Sequence, residues 1–341
     1  MSQYTHVARS VYGQPWAIVP TKLDEIALAL AARIRGERLS TQEIAAITAA
    51  APRGGSARAS GSTAVIPILG VLAQRVSPLE ETSGATSTER IQTAIRQALA
   101  DPNVGSIVLD VDSPGGMVYG SAELAELIYS SRGKKPIVAI ANSLAASAAY
   151  WIASAAGELV VTQGGEVGSI GVYGVHMDHS AQLQMEGVKP TMVSAGRFKT
   201  EANPYEPLGD EAREALQQAV GRYYDMFTAA VAKHRGVTVS AVRNGFGEGR
   251  VVGARESVRL GMTDRIGTLQ ESIERVQRSG APGRPPRADG SHDDSESTAV
   301  PDDVRRRRLR LYEAAVAASS SGPDLDVRRR RLRLHEAALN R

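Results

Sequence analysis

The sequence predicts an α/β protein built on parallel strands, and three observations carry that prediction. Apolar runs "AVIPILGV", "SIVLDV", "PIVAIA" and "ELVVT" alternate with helical stretches at 88–100, 119–132 and 147–156, an order that lays parallel strands under covering helices. The chain has 341 residues and 42% hydrophobic content, enough apolar material for a large core. Two of the strand-to-helix junctions carry small residues, "DSPGG" at 112–116 and Ser147 among alanines in "ANSLAASAAYWIASAA" at 141–156.

Residues 22–35 place Leu23, Ile26, Leu30 and Ile34 at helical spacing, and "STQE" at 40–43 is a capping box that opens a second helix. Residues 1–50 therefore read as a helical extension. The Gly, Ser and Arg content of 51–62 reads as a linker, which puts the main domain at 63–278. A long helix is expected at 210–235, followed by a short strand, helix and turn in "GRVVGARESVRLGMTDRIGT". From 279 the Pro, Gly, Ser and Asp content is that of a disordered tail. Within it, "DVRRRRLRLYEAA" (303–315) recurs as "DVRRRRLRLHEAA" (326–338), two basic helices too few for a solenoid.

The net charge of +3 belongs to that tail: residues 281–341 hold 13 arginines against 10 acids, while 27 basic and 27 acidic residues balance in the rest. Nucleic acid is thus a partner for the tail alone. There is no apolar run of 18 residues and no basic start followed by an apolar stretch, so the reading is no membrane span, no secretory signal and a cytoplasmic location. Zero cysteines exclude disulfides and thiolate chemistry. The G-x-x-G-x-x-G spacing in "GEVGSIGV" (165–172) does not match a dinucleotide loop and no Walker sequence occurs, so no cofactor is expected.

The chemistry rests on few residues. Backbone N–H groups of a Pro-Gly-Gly turn such as 114–116 can bind negative charge developing on oxygen, although any strand-to-helix loop can use that turn. Ser147 is either a small residue needed for close packing or a nucleophile kept clear of bulk. A nucleophile needs a base. "HMDH" offers His176, Asp178 and His179 as a base or as two metal ligands, with no third ligand evident; a surface turn is the plainer reading. His6, His292 and His335 fall in expected disorder, and His234, near a helix end, reads as solvent-exposed. The other base is Lys199 in "SAGRFKTEANPYEPL" (194–208), since a lysine can accept a proton once desolvation has made it neutral. Phe198, Pro204, Tyr205 and Pro207 could shield it, and Ser169 could orient its amine.

Taken in order, "VDSPGG", "SLAASAAYWIASAA", "GEVGSIGV", "SAGRFKTEANPYEPL" and "GRVVGARESVRLGMTDRIGT" resemble the signal peptide peptidase A family of serine proteases over about residues 63–270. The resemblance implies a Clp-protease/crotonase-like fold and a Ser-Lys dyad. Ser147 matches the nucleophile, Lys199 the general base and Ser169 the hydroxyl that bonds the lysine. Gly115, with Gly116, and the amide of Ala148 match the oxyanion hole. Ala148-Ala149 stands where the family usually has Gly-Gly, which could narrow the cleft without removing the amide. The anchorless start resembles the phage head maturation branch, which cleaves capsid and scaffold proteins. That implies those proteins as partners, a location inside the prohead, and a homo-oligomer in which the lysine of one copy meets the serine of the next. Three alternatives stand beside it: a cytoplasmic bacterial peptidase of the same family, a non-catalytic capsid scaffold or interaction protein, and a crotonase-fold acyl-CoA enzyme, for which acidic residues are wanting near the turns.

Overall fold

A computed structural model describes residues 15–24, 26, 57–76 and 84–280. The helices expected from residue 27 to 50, the first part of the linker and the repeat-bearing tail lie outside the described residues. The parallel ladder is built from β3 (Thr63–Leu69), β6 (Ser106–Ser113), β8 (Ile137–Ala146), β9 (Glu158–Val161), β10 (Glu166–Gly168) and β12 (Arg265–Ile266), with β2 (Arg58–Ser60) and β11 (Val251–Gly253) added antiparallel at its two edges. β2 thus draws residues 58–60, assigned by composition to the linker, into the sheet. Pro67 is tolerated within β3 because β2 pairs only with Thr63–Val65 and leaves the strand edge at Pro67 outside its ladder.

Near-continuous apolar strands demand cover on both faces. On one face Ile66, Ile68, Leu109, Val111, Ala139 and Ala141 meet α1 (Thr88–Ala100), α2 (Ser121–Ser130), α3 (Ala148–Ser154) and the last part of α5 (Asp210–Arg235). On the other, Val65, Val108, Val138, Ile140 and Val160 meet Ile273 and Val276 of the closing helix α8 (Leu269–Gly280). α1 starts where Ser87 Oγ accepts the Arg90 N–H, and it turns Ile91, Ile95 and Ala98 inward. Burying each isoleucine contributes about 2 kcal/mol.

A smaller sheet stands beside the main one, in the order β1 (Trp16–Ile18), β7 (Gly115–Met117), β4 (Val71–Ala73) and β5 (Ala85–Ser87). β1 pairs antiparallel with β7, so part of the segment read as a helical extension is a strand of this domain; helix follows it at 20–24. The remaining elements are the short helices α4 (Ser180–Met185), α6 (Val239–Gly245) and α7 (Ala254–Leu260) and a 3-10 turn at Gly247–Gly249. Among the described residues no helix is long and apolar enough to cross a membrane.

Candidate active site

Ser147 lies between the last residue of β8 and the first of α3, at φ 56° and ψ −118°. That backbone is unfavourable for any residue with a Cβ and costs on the order of 1–3 kcal/mol unless its surroundings hold it. They do: Ser147 N–H donates to Gly168 O at 2.7 Å, and Ser147 O accepts the Trp151 N–H at 2.9 Å to start the helix. The hydroxyl donates a long hydrogen bond to Gly171 O at 3.4 Å. Ser147 is 1% exposed.

The alanines explain how the turn fits so deep. Ala145, Ala146, Ala148 and Ala149 are all buried, and every residue of α3 is buried with them. Trp151 stacks on Phe227 of α5 with ring centroids 4.6 Å apart and planes within 7°. The small alanines let the turn and α3 pack this closely. The Ala148 N–H, at the first helical position, has no partner within α3.

The glycine turn backs onto the serine. Gly115 has φ +99°, and a Cβ built there would lie 3.0 Å from Ser147 Cβ and 2.3 Å from Ala17 O, so only glycine allows this approach. Its N–H donates to Ser113 Oγ at 3.2 Å, and that hydroxyl donates to Gly70 O at 2.6 Å. Gly116 is in register with both Ala17 and Leu72, and a Cβ there would strike Leu72 O at 1.9 Å. Its place is between two strands.

Ser169 follows β10 at φ 52°, buried, with its N–H on Arg250 O at 2.8 Å and no hydrogen bond from its hydroxyl among the described residues. An open groove of about 450 Å³ separates Ile170, Gly171 and Val172 from Val220, Gly221 and Tyr224 of α5. Lys199 is elsewhere in character. It stands exposed on the segment between α4 and α5, and among the described residues its ammonium makes no hydrogen bond or ion pair, with Ser147 and Ser169 included. Val188, Val193 and Phe198 of the same segment are exposed too, Val193 at 95%.

Among the described residues, no histidine hydrogen-bonds Ser147. His176 Nε2 lies 3.0 Å from Asn203 O, and His179 N–H donates to Pro204 O at 2.8 Å, which ties the far end of the Lys199 loop. Asp178 accepts the Ser180 N–H at 2.8 Å, and its side-chain and backbone bonds to Ser180 hold its carboxyl below the usual range. His234 is a correction: read as solvent-exposed, it is 5% exposed, with Nδ1 3.0 Å from Ser154 Oγ and its ring stacked on Tyr129 at 5.1 Å. Burial, followed by the Arg132 charge, pushes its pKa down to about 3. Sequence reasoning missed β1 beside the turn; the apolar "WAIV" before Pro20 was its signal.

A model of peptidase family S49 matches residues 130–281, from the end of α2 through α8. The chain is 32% identical over 312 residues to capsid assembly protease C of Escherichia phage lambda, covering 86% of this chain and 70% of that protein. The chain belongs to peptidase family S49. It is also 34% identical to head-tail preconnector protein GP5 of Enterobacteria phage P21 over 63% of this chain, which spans 43% of that protein's length. Similarity extends outside phages to Protease 4 of Salmonella typhi, 30% identical over 58% of this chain and 32% of that one. An S49 member is a protease, and the parallel sheet with covering helices described above is the Clp-protease-like fold of that family.

Proposed function

We propose that this S49 protease cleaves capsid and scaffold proteins during phage head assembly, through an acyl-enzyme on Ser147. The observation that carries the reading is the buried, strained turn of Ser147 pressed against Gly115, a costly conformation that a merely small packing residue would not need. Ser147 Oγ attacks the substrate carbonyl as Lys199 Nζ takes its proton. The Ala148 N–H receives the oxyanion, joined by the Gly115 N–H as it exchanges Ser113 Oγ for the substrate oxygen, and the lysine returns the proton to the leaving amine before water repeats the sequence. Ser169 holds the amine of the lysine in line.

A lysine works as a base only when desolvated, whereas Lys199 stands in solvent beside exposed apolar side chains. We infer that a second copy of the chain covers this loop, so that Lys199 of one copy serves Ser147 of the next in a homo-oligomer. Covered, Val193 and Phe198 become interface residues. Capsid proteins as substrates are supported by the lambda relative, whose name is capsid assembly protease C. The test is co-expression with the capsid and scaffold genes of the same phage, with mass spectrometry of the products: cleavage by the wild type and none by Ser147→Ala is expected, and identical products from both overturn the reading.

A further inference from the structure

β1 lies along the sheet edge beside Ser147, where an added peptide strand would pair. An extended peptide reaches a buried serine by adding a strand to an open sheet edge, where main-chain hydrogen bonds hold it and alternate side chains fill pockets. The edge of β7 beside Ser147 is such an edge, and Trp16–Ile18 fills it, with Ile18 opposite Gly115 and Trp16 opposite Met117. The free side of β1 is also taken. Trp16 N–H donates to Tyr173 O at 2.8 Å and Tyr173 N–H returns to Trp16 O at 3.0 Å, while on the β7 side Val19 N–H donates to Pro114 O at 3.0 Å.

The side chains complete the imitation of a bound peptide. Trp16 and Ile18 are buried together with Val71, Met117, Tyr173 and Val175 around them, while Ala17 joins the main core. Ala17 O is the carbonyl over Gly115, 2.3 Å from where that residue's missing Cβ would stand, with Ser147 Cβ 3.0 Å from the same point. These atoms occupy the β7 edge beside Ser147. The fit also has a flaw, since Tyr173 Oη is buried without a hydrogen-bond partner, an unfavourable state that departure of β1 would relieve by admitting water.

We propose that residues 16–19 are a built-in plug: they occupy the strand-accepting edge of β7 and hold the protease closed until β1 is displaced by a substrate strand. The proposal rests on Ser147 as the nucleophile only for its consequence; occupation of the edge is independent of it. Because the chain has no cysteine, the double variant Trp16→Cys, Tyr173→Cys can be locked by oxidation and freed by reduction without ambiguity, across a pair whose strand spacing suits a disulfide.

Two readouts separate the possibilities. A fluorescent peptide of residues 13–22, GQPWAIVPTK, is titrated onto the locked and freed forms in a Ser147→Ala background, and a fluorophosphonate probe is mapped to residue 147 in the unaltered background. Binding by the freed form alone, with labelling at least tenfold slower when locked, is the expected result. Equal binding and equal labelling in the two forms overturn the plug. Binding that follows the lock while Ser147 is never labelled leaves the plug standing and removes the nucleophile assignment. If the freed pair neither binds nor labels, Trp16→Ala decides: peptide binding above wild type supports the plug, and binding no better than wild type overturns it.

Discussion

Ser147 and Lys199 are separated by 52 residues of sequence and by a wider difference in surroundings. The serine is sealed between β8 and α3, its N–H on Gly168 and its helix held by Trp151 on Phe227, whereas the lysine stands on a solvent-facing segment where Val188 and Val193 are exposed and Phe198 is half-exposed with the Arg197 guanidinium over its ring. The serine side is a piece of hydrophobic core and needs no partner to exist. The lysine side is an unfinished surface. One helix joins the two regions: α5 begins exposed near the lysine segment and ends buried, where Phe227, Val231 and His234 pack against the serine side. Under the proposed shared site, such a protease would fold as a single chain and stay inactive until copies meet, which would tie its activity to concentration.

The largest effect expected is on catalysis. Ser147→Ala and Lys199→Ala should each lower peptide hydrolysis by about a thousandfold or more, with the double variant no worse, because the two residues act as a unit. Lys199→Arg should be as inactive, since arginine stays protonated, while His176→Ala and His179→Ala keep near wild-type rates. Steady-state assays of purified variants decide this; an active Lys199→Arg, or a dead histidine variant beside an active Lys199→Ala, would move the base elsewhere.

The next contrast is in stability. Trp151→Ala, on the serine side, should cost about 3–5 kcal/mol in urea unfolding. Val193→Ser, on the lysine side, should change monomer stability by less than about 0.5 kcal/mol and instead weaken self-association measured by ultracentrifugation. Equal stability losses would erase the division between the two regions.

The pH dependence probes the helix that joins them. His234 is neutral when folded, with a pKa of about 3, but takes up a proton near pH 6.5 when unfolded. Unfolding therefore gains a proton between these values, so this residue's contribution is fully present above about pH 6.5 and is lost as pH falls toward 3, with a slope approaching 1.4 kcal/mol per pH unit. Urea midpoints at pH 7, 5.5 and 4 should show the decline, and His234→Asn should flatten it. The smallest effect is on the enzyme's rate at neutral pH, which His234→Asn should leave within about twofold, because the buried His234 side chain meets Tyr129 and Ser154 and makes no hydrogen bond to Ser147.

Much of this was legible in the amino acids. α1 and α5 fall on 88–100 and 210–235 as read, since capping and a 3.6-residue period are local signals. The strand-turn-helix at Ser147 was legible too, because the alanine run around it serves one purpose. β1 was not: three residues are too short for a period to show, and what makes them a strand is the edge of β7, a partner about a hundred residues away. His234 was misread for a related reason, as its position near a helix end says nothing about Tyr129 and Ser154 closing over it. The proposed meeting of Lys199 with Ser147 would depend on a segment whose neighbours are not in its own sequence.

The most direct test of the divided site mixes two inactive proteins, Ser147→Ala and Lys199→Ala, under conditions in which exchange of subunits is verified by mass spectrometry. The account predicts that the mixture recovers part of the wild-type activity, because one copy supplies the serine and its neighbour the lysine. A mixture that stays silent after full exchange, or a dilute monomer that hydrolyses peptide at the full rate, would contradict it.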